Sequence, residues 1–143
     1  MDKITLKTAN AIIEASFVES KKRLLQPMSV VVLDAGGHLI AFQRQDKAGI
    51  LRFDIAFAKA YGALGMGIGS RGLGLKANDI PELIHGAVVA SQGRLIPAPG
   101  GVLVLNSDDE VIGAVGASGD TSENDEHAVV SGIESVGLKS KVL

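Results

Sequence analysis

Apolar and polar positions follow two different periods along this chain, and each change of period marks an element. Leu6, Ala9, Ile13 and Phe17, continued by Ser20 and Leu24, recur at helical spacing and predict a first helix from Leu6 to Leu25. Thr5 offers a hydroxyl to the open N–H groups at its start. Lys21, Lys22 and Arg23 lie in its last turn, where the helix dipole favours cations. Gln26-Pro27 ends it, because the residue before a proline is pushed out of the α region. The period then shortens. Val30 to Leu33 is apolar throughout, the pattern of a strand covered on both faces. Asp34-Ala35-Gly36-Gly37 is a turn signal, and Leu39 to Gln45 alternates, with Leu39 and Ala41 on one side and Ile40 and Phe42 on the other. Together these stretches predict a β-hairpin. It closes on a polar cluster, Arg44, Gln45 and Asp46, which reads either as a solvated rim or as ligand chemistry.

Helical spacing returns from Arg52 to Leu64, where Ile55, Ala56, Ala58, Ala60 and Ala63 give small faces suited to lying flat on a sheet. Lys59 interrupts this apolar helix. It either snorkels its ammonium to water or is held under a loop, where its pKa falls and it becomes an acid, a base or an anion anchor. Gly65 to Gly74 contains Gly67-Ile68-Gly69-Ser70-Arg71-Gly72, formally a GxGxxG. A dinucleotide site needs a strand immediately before that motif, and here a helix precedes it, so that reading is rejected. A flexible turn, or an anion-holding nest that includes Arg71, remains. Asn78 or Asp79 caps a short helix from Glu82 to Ser91, with Pro81 in its first turn, Leu83, Val88 and Val89 inward, and His85 as a surface residue. Gly101 to Leu105 and Val111 to Ala117 are the third and fourth strands. Gly113 and Gly116 mark close approach by another backbone or a ligand.

Thr121 or Ser122 caps a last helix from Glu123 to Val136, whose buried stripe is Ala128, Val129, Gly132, Ile133 and Val136. Its first turn carries Glu123, Asp125 and Glu126. These carboxylates complement the helix dipole themselves, so a cationic or neutral polar ligand is easier to place there than a phosphate. His127 follows them but points about 100° away from its neighbour on the helix. A metal site there needs a third ligand from elsewhere, and none is assigned.

Composition narrows the function classes. The 143 residues suit one domain. There is no Cys, which excludes thiolate catalysis and Cys-based metal sites and fits a cytoplasmic location. The first residues lack the basic-then-apolar order of a signal peptide, and no apolar run reaches bilayer length. A net charge of −2, with Tyr61 and four Phe as the only aromatics, argues against nucleic acid. With 46% hydrophobic against 21% charged residues, the polar surface is thin for a small monomer, which points to a homo-oligomer.

Three stretches carry a resemblance: Ser29 to Asp46, Asp54 to Ala60, and Gly100 to Val104 followed by Val111 to Gly119 and Glu123-Asn124-Asp125. In order and spacing they resemble the GlcG/HbpS family (the DUF336 type), which includes the C-terminal domain of PduO-type proteins. The resemblance implies one α+β domain over residues 1–143, profilin-like, with helices packed on an antiparallel sheet. It also implies homo-oligomers, often octamers. Members are described as binding haem, as associated with corrinoid metabolism, or as haem-degrading. Haem ligation in relatives rests on a His of the first helix or on an oligomer-surface group. This first helix has no His, so an imidazole can come only from His38, His85 or His127. The cofactor-binding candidates are therefore His38 and His127 with Arg44 and Asp46. Lys59, Glu123 and Asp125 are the candidates for acid–base catalysis, and the matched charged residues are expected to meet at one pocket. Three readings stay open: a small-molecule or haem-binding homo-oligomer, a small cofactor-independent metabolic enzyme using Lys59 and an acidic residue, and a structural or accessory oligomer.

Overall fold

A computed structural model describes residues 2–143. The elements are α1 (Leu6–Lys22), β1 (Ser29–Asp34), β2 (Leu39–Arg44), α2 (Arg52–Met66), α3 (Ser70–Asp79), α4 (Pro81–Ala90), β3 (Gly101–Leu105), β4 (Val111–Ser118), α5 (Ser122–Ser135) and β5 (Lys139–Lys141). The strands make one antiparallel sheet in the order β2-β1-β4-β3-β5. Helices cover both faces, which is the α+β architecture the resemblance implies. Among the described residues no helix is long and apolar enough to cross a membrane.

The continuous apolar run of β1 is explained by its position between β2 and β4 with a layer on either side. Strand alternation divides it. Val30 and Val32 join Ile12, Ile13, Val129 and Ile133 under α1 and α5, while Val31 and Leu33 join Ala56, Ala60 and Ala63 under α2. The small face of α2 lets it lie almost on the backbone of the sheet. A Cβ on Gly116 would run into the carbonyl of Ala56, and one on Gly101 into the carbonyl of Lys59. Gly132 plays the same part between α5 and α1, against the Ile12 carbonyl and the Ser16 hydroxyl.

Helix caps follow the local sequence. Thr5 Oγ1 accepts from the Thr8 N–H, and Thr121 Oγ1 from that of Asn124. Elsewhere the structure corrects the periodicity. The first helix stops at Lys22, because Leu24 takes a left-handed φ of 57° and is 89% exposed. The buried face of α1 is Ala9, Ile12, Ile13, Ser16 and Ser20. The glycine-rich stretch is mostly helix rather than a flexible turn. Gly69 is the N-cap of α3, and Ser70 pins its start by accepting from the Gly101 N–H at 2.7 Å and donating to the Gly101 carbonyl at 3.2 Å. α2 runs directly into this stretch, so no strand precedes the motif. Asn78 and Asp79 finish α3 instead of capping α4, which opens on Pro81. α4 turns Ile84 inward to meet Leu73 and Leu95, leaving Leu83 49% and Val89 79% exposed. β5 carries no sequence signal; two lysines flank its one serine, and only pairing with β3 makes it a strand.

The close approach of α2 to the sheet yields a measurable outcome. Gly116→Ala should lower the unfolding free energy by about 2 kcal/mol, since overpacking a closed contact typically costs about 1–3 kcal/mol. Urea denaturation checks it. A change under about 0.5 kcal/mol would mean that α2 moves away freely.

Candidate functional site

Lys59 does not snorkel. It is 3% exposed, and its Nζ donates to the Ala117 carbonyl at 3.1 Å and to Asp125 Oδ2 at 3.5 Å. Asp125 is 1% exposed. Its Oδ1 also accepts from the Asp120 N–H at 2.8 Å and its Oδ2 from the Gly119 N–H at 3.3 Å. The lysine side chain passes Gly100, where φ is +125° and a Cβ would lie 2.8 Å from Nζ. Glycine is needed there on both counts. Burial lowers the Lys59 pKa below the ordinary 10.5, and the Asp125 carboxylate offsets this only in part.

Around this pair the other charges are arranged in a shell. Arg71 Nε donates to both oxygens of the buried Glu126 at 3.1 Å, and the guanidinium is held more basic than usual by that bond. The candidate nest residue is therefore a clamp from α3 to α5. Arg52 Nη1 donates to Ser118 Oγ at 3.1 Å. Glu123 is exposed and makes no direct contact with Lys59, whereas Asp125 from the same turn does.

The charged candidates do not meet at one pocket. Arg44 and Asp46 line an open groove of about 480 Å³ with Phe17, Ser20, Lys21, Leu25, Pro27 and Gln45. His38 lines a second pocket, of about 430 Å³, with Lys3, Ile4, Asp34, Ile40 and Ile112. Since β2 runs from Leu39 to Arg44, His38 and Arg44 are roughly 20 Å apart at the usual strand rise. No single small group touches both. His127 lines neither. It is half exposed on α5, with Nε2 3.3 Å from Glu19 Oε1 on α1. Lys59 and Asp125 line neither pocket.

Asp34 is the residue the sequence reading passed over. Its carboxylate lies 3.2 Å from His38 Nδ1, and its Oδ1 accepts from the backbone N–H groups of Gly36 and His38 at 2.9 Å. Partial burial works to raise its pKa, but those N–H groups and the imidazole outweigh it and leave it below the ordinary value. An ionised carboxylate only accepts, so the contact assigns a proton to Nδ1, and in the neutral imidazole the lone pair then lies on Nε2. The signal was the i, i+4 spacing of Asp and His across a tight turn.

The comparisons with known proteins agree with this architecture. A family model described as "Haem degrading protein HbpS-like" matches residues 4–134. An uncharacterized 15.0 kDa protein from the dhaT-dhaS intergenic region of Citrobacter freundii is 35% identical over 124 residues, 85% of this chain and 84% of that protein. The structure of a PduOC–haem complex superimposes with a TM-score of 0.85 at 21% identity, over 95% of this chain and 96% of the other. Protein ORFY of Klebsiella pneumoniae, of the DUF336 family, gives 0.83 at 27% identity, over 94% and 90%.

Two outcomes test the buried pair. Lys59→Met should cost about 3 kcal/mol, because it strands a buried carboxylate. Lys59→Met with Asp125→Asn should cost less than the sum of the two single changes by at least about 1 kcal/mol. A strictly additive cycle in urea denaturation would disprove the coupling. The second outcome concerns pH. Lys59 loses its proton in the folded state at lower pH than in the unfolded chain, so in the window below 10.5 the unfolded state binds more protons. The stability of the native protein relative to Lys59→Met should therefore rise as pH increases through that window and level off above it. Paired melts across the alkaline range report it, and a falling difference would reverse the assignment.

Proposed function

The chain belongs to the HbpS-like family, and on that premise we propose that it binds haem, or a related tetrapyrrole, at the pocket lined by His38. The observation that carries this is the Asp34–His38 pair. Metal-ligating histidines usually donate their second ring nitrogen to a carboxylate, which fixes the tautomer and raises the basicity of the free nitrogen. Here Asp34 holds Nδ1, and Nε2 has no partner among the described residues. The surroundings suit the group. Ile4, Ile40 and Ile112 give apolar wall for a macrocycle, and at the polar edge Lys3, beside Asp2, brings a cation for a carboxylate side group. Bound haem would supply a redox-active iron and visible absorption. His38 would ligate, Asp34 would orient it, and the isoleucines would exclude water. The haem named for the PduOC structure supports this reading by likeness of fold.

Self-association belongs to the same proposal. The imidazole is 82% exposed, so a second copy is needed to close the pocket. Large apolar side chains stand in solvent elsewhere on the monomer, among them Val18 at 66% and Ile50 at 90%. The Lys59–Asp125 pair is read as architecture rather than acid–base machinery, because both oxygens of Asp125 are already engaged and neither residue lines the Arg44 groove or the His38 pocket.

Haemin titration of the purified protein followed by absorption should give a saturable Soret shift. His38→Ala should abolish it, His127→Ala should leave it intact, and Asp34→Asn should weaken binding by about tenfold or more. An unchanged titration in His38→Ala would refute the site.

A further inference from the structure

At the far end of the hairpin from His38, strand register sets Arg44, Ser29 and Ser118 opposite one another on β2, β1 and β4, forming one rung across three strands. Ser29 shares its face with Val31 and Leu33, the face covered by α2. From the first turn of α2, Arg52 reaches Ser118 Oγ at 3.1 Å. Neither Arg44 nor Arg52 has a carboxylate within 4.0 Å among the described residues. Ser29 Oγ is fully buried and has no hydrogen-bond partner among the described residues. Ser118 accepts from Arg52, and its own O–H finds no acceptor among the described residues.

The rung is thus rich in donors and poor in acceptors. It holds two hydroxyl protons without partners among the described residues, on serines that are both buried, together with two guanidinium groups that lack a counter-charge. A buried polar group left unpaired costs free energy. The two buried acids are engaged elsewhere, Asp125 with Lys59 and two backbone N–H groups and Glu126 with Arg71. A small oxyanion held by Arg52 at this end of the sheet would supply the acceptor that the rung lacks, since guanidinium and hydroxyl groups are the usual partners of carboxylate and phosphate oxygens. We infer that the Arg44–Ser29–Ser118 rung, with Arg52 above it, is a second ligand site that takes a carboxylate or phosphate group. It lies roughly 20 Å from His38, at the other end of β2, and its occupancy does not depend on haem.

The test follows the thermal unfolding midpoint of the full chain against inorganic phosphate and, separately, sodium acetate, with ionic strength held constant by sodium chloride. The midpoint should rise with at least one of the two anions in the native protein and in the charge-matched control Arg94→Gln. A response to phosphate assigns the site to phosphate esters, and a response to acetate alone assigns it to carboxylates. The rise should vanish in Arg52→Gln. Ser29→Ala should unfold no earlier than the native protein when anion is absent, because its hydroxyl has no bond to lose. It should need about tenfold more anion for the same shift. No response beyond that to sodium chloride, an equal response in Arg52→Gln, or a lower midpoint of anion-free Ser29→Ala would each overturn the inference.

Discussion

One buried ion pair joins the two helical layers of this fold. α2 lies on one face of the sheet and α5 on the other, and Lys59 reaches around the end of the sheet, past Gly100, to Asp125. Removing two charges from water is expensive, and their attraction repays it only when every remaining donor and acceptor is engaged. Asp125 comes close to that condition with two backbone N–H groups, while Lys59 has the Ala117 carbonyl besides Asp125 and burial still lowers its pKa. The pair fixes where α5 begins relative to β4. It also requires glycine at position 100, since any side chain there would occupy the space of the ammonium.

The closeness of the layers has the same origin. Glycines at 101 and 116 bring the α2 backbone onto β3 and β4, and only at that distance does a lysine in the middle of α2 reach past the sheet. The same approach sets Arg52 over Ser118 at the sheet end. The four rings of Phe42, Phe53, Phe57 and Tyr61 run in a line from β2 along α2 against the same core, with Arg94 stacked on the last at 4.3 Å. The helix that holds the sheet together thus also positions the polar groups at one end of it.

Chemistry is distributed along the hairpin rather than gathered at one centre. The turn end carries the Asp34–His38 pair with its apolar pocket, and the open end carries the serine and arginine rung. Family membership accounts for the shared scaffold, while the function rests on these particular side chains, because a fold hosts many sites. The missing histidine of α1 shifts attention to His38, whose tautomer the neighbouring carboxylate determines.

Much of the fold was legible from local pattern. The hairpin, β3, β4, α2 and α5 lay where periodicity and turn residues placed them, because alternation and helical spacing record which side of each element is covered. α3 was not legible, since two glycines and an arginine following the N-cap Gly69 look like a loop until Ser70 is tied to β3. Nor was β5, whose strand state depends wholly on its partner. At the level of chemistry, the sequence by itself determined which charged residues were available, namely Lys59, Asp125, Arg44, Asp46 and three histidines. Only the tertiary structure decided how they combine. It buried Lys59 against Asp125, left Glu123 in solvent and separated Arg44 from His38, whereas the Asp34–His38 pair is local, four residues apart across the turn. The physical reason is that such pairing and burial are settled by contacts between distant segments, and residues 66 positions apart in the chain, as Lys59 and Asp125 are, leave no joint trace in a single sequence.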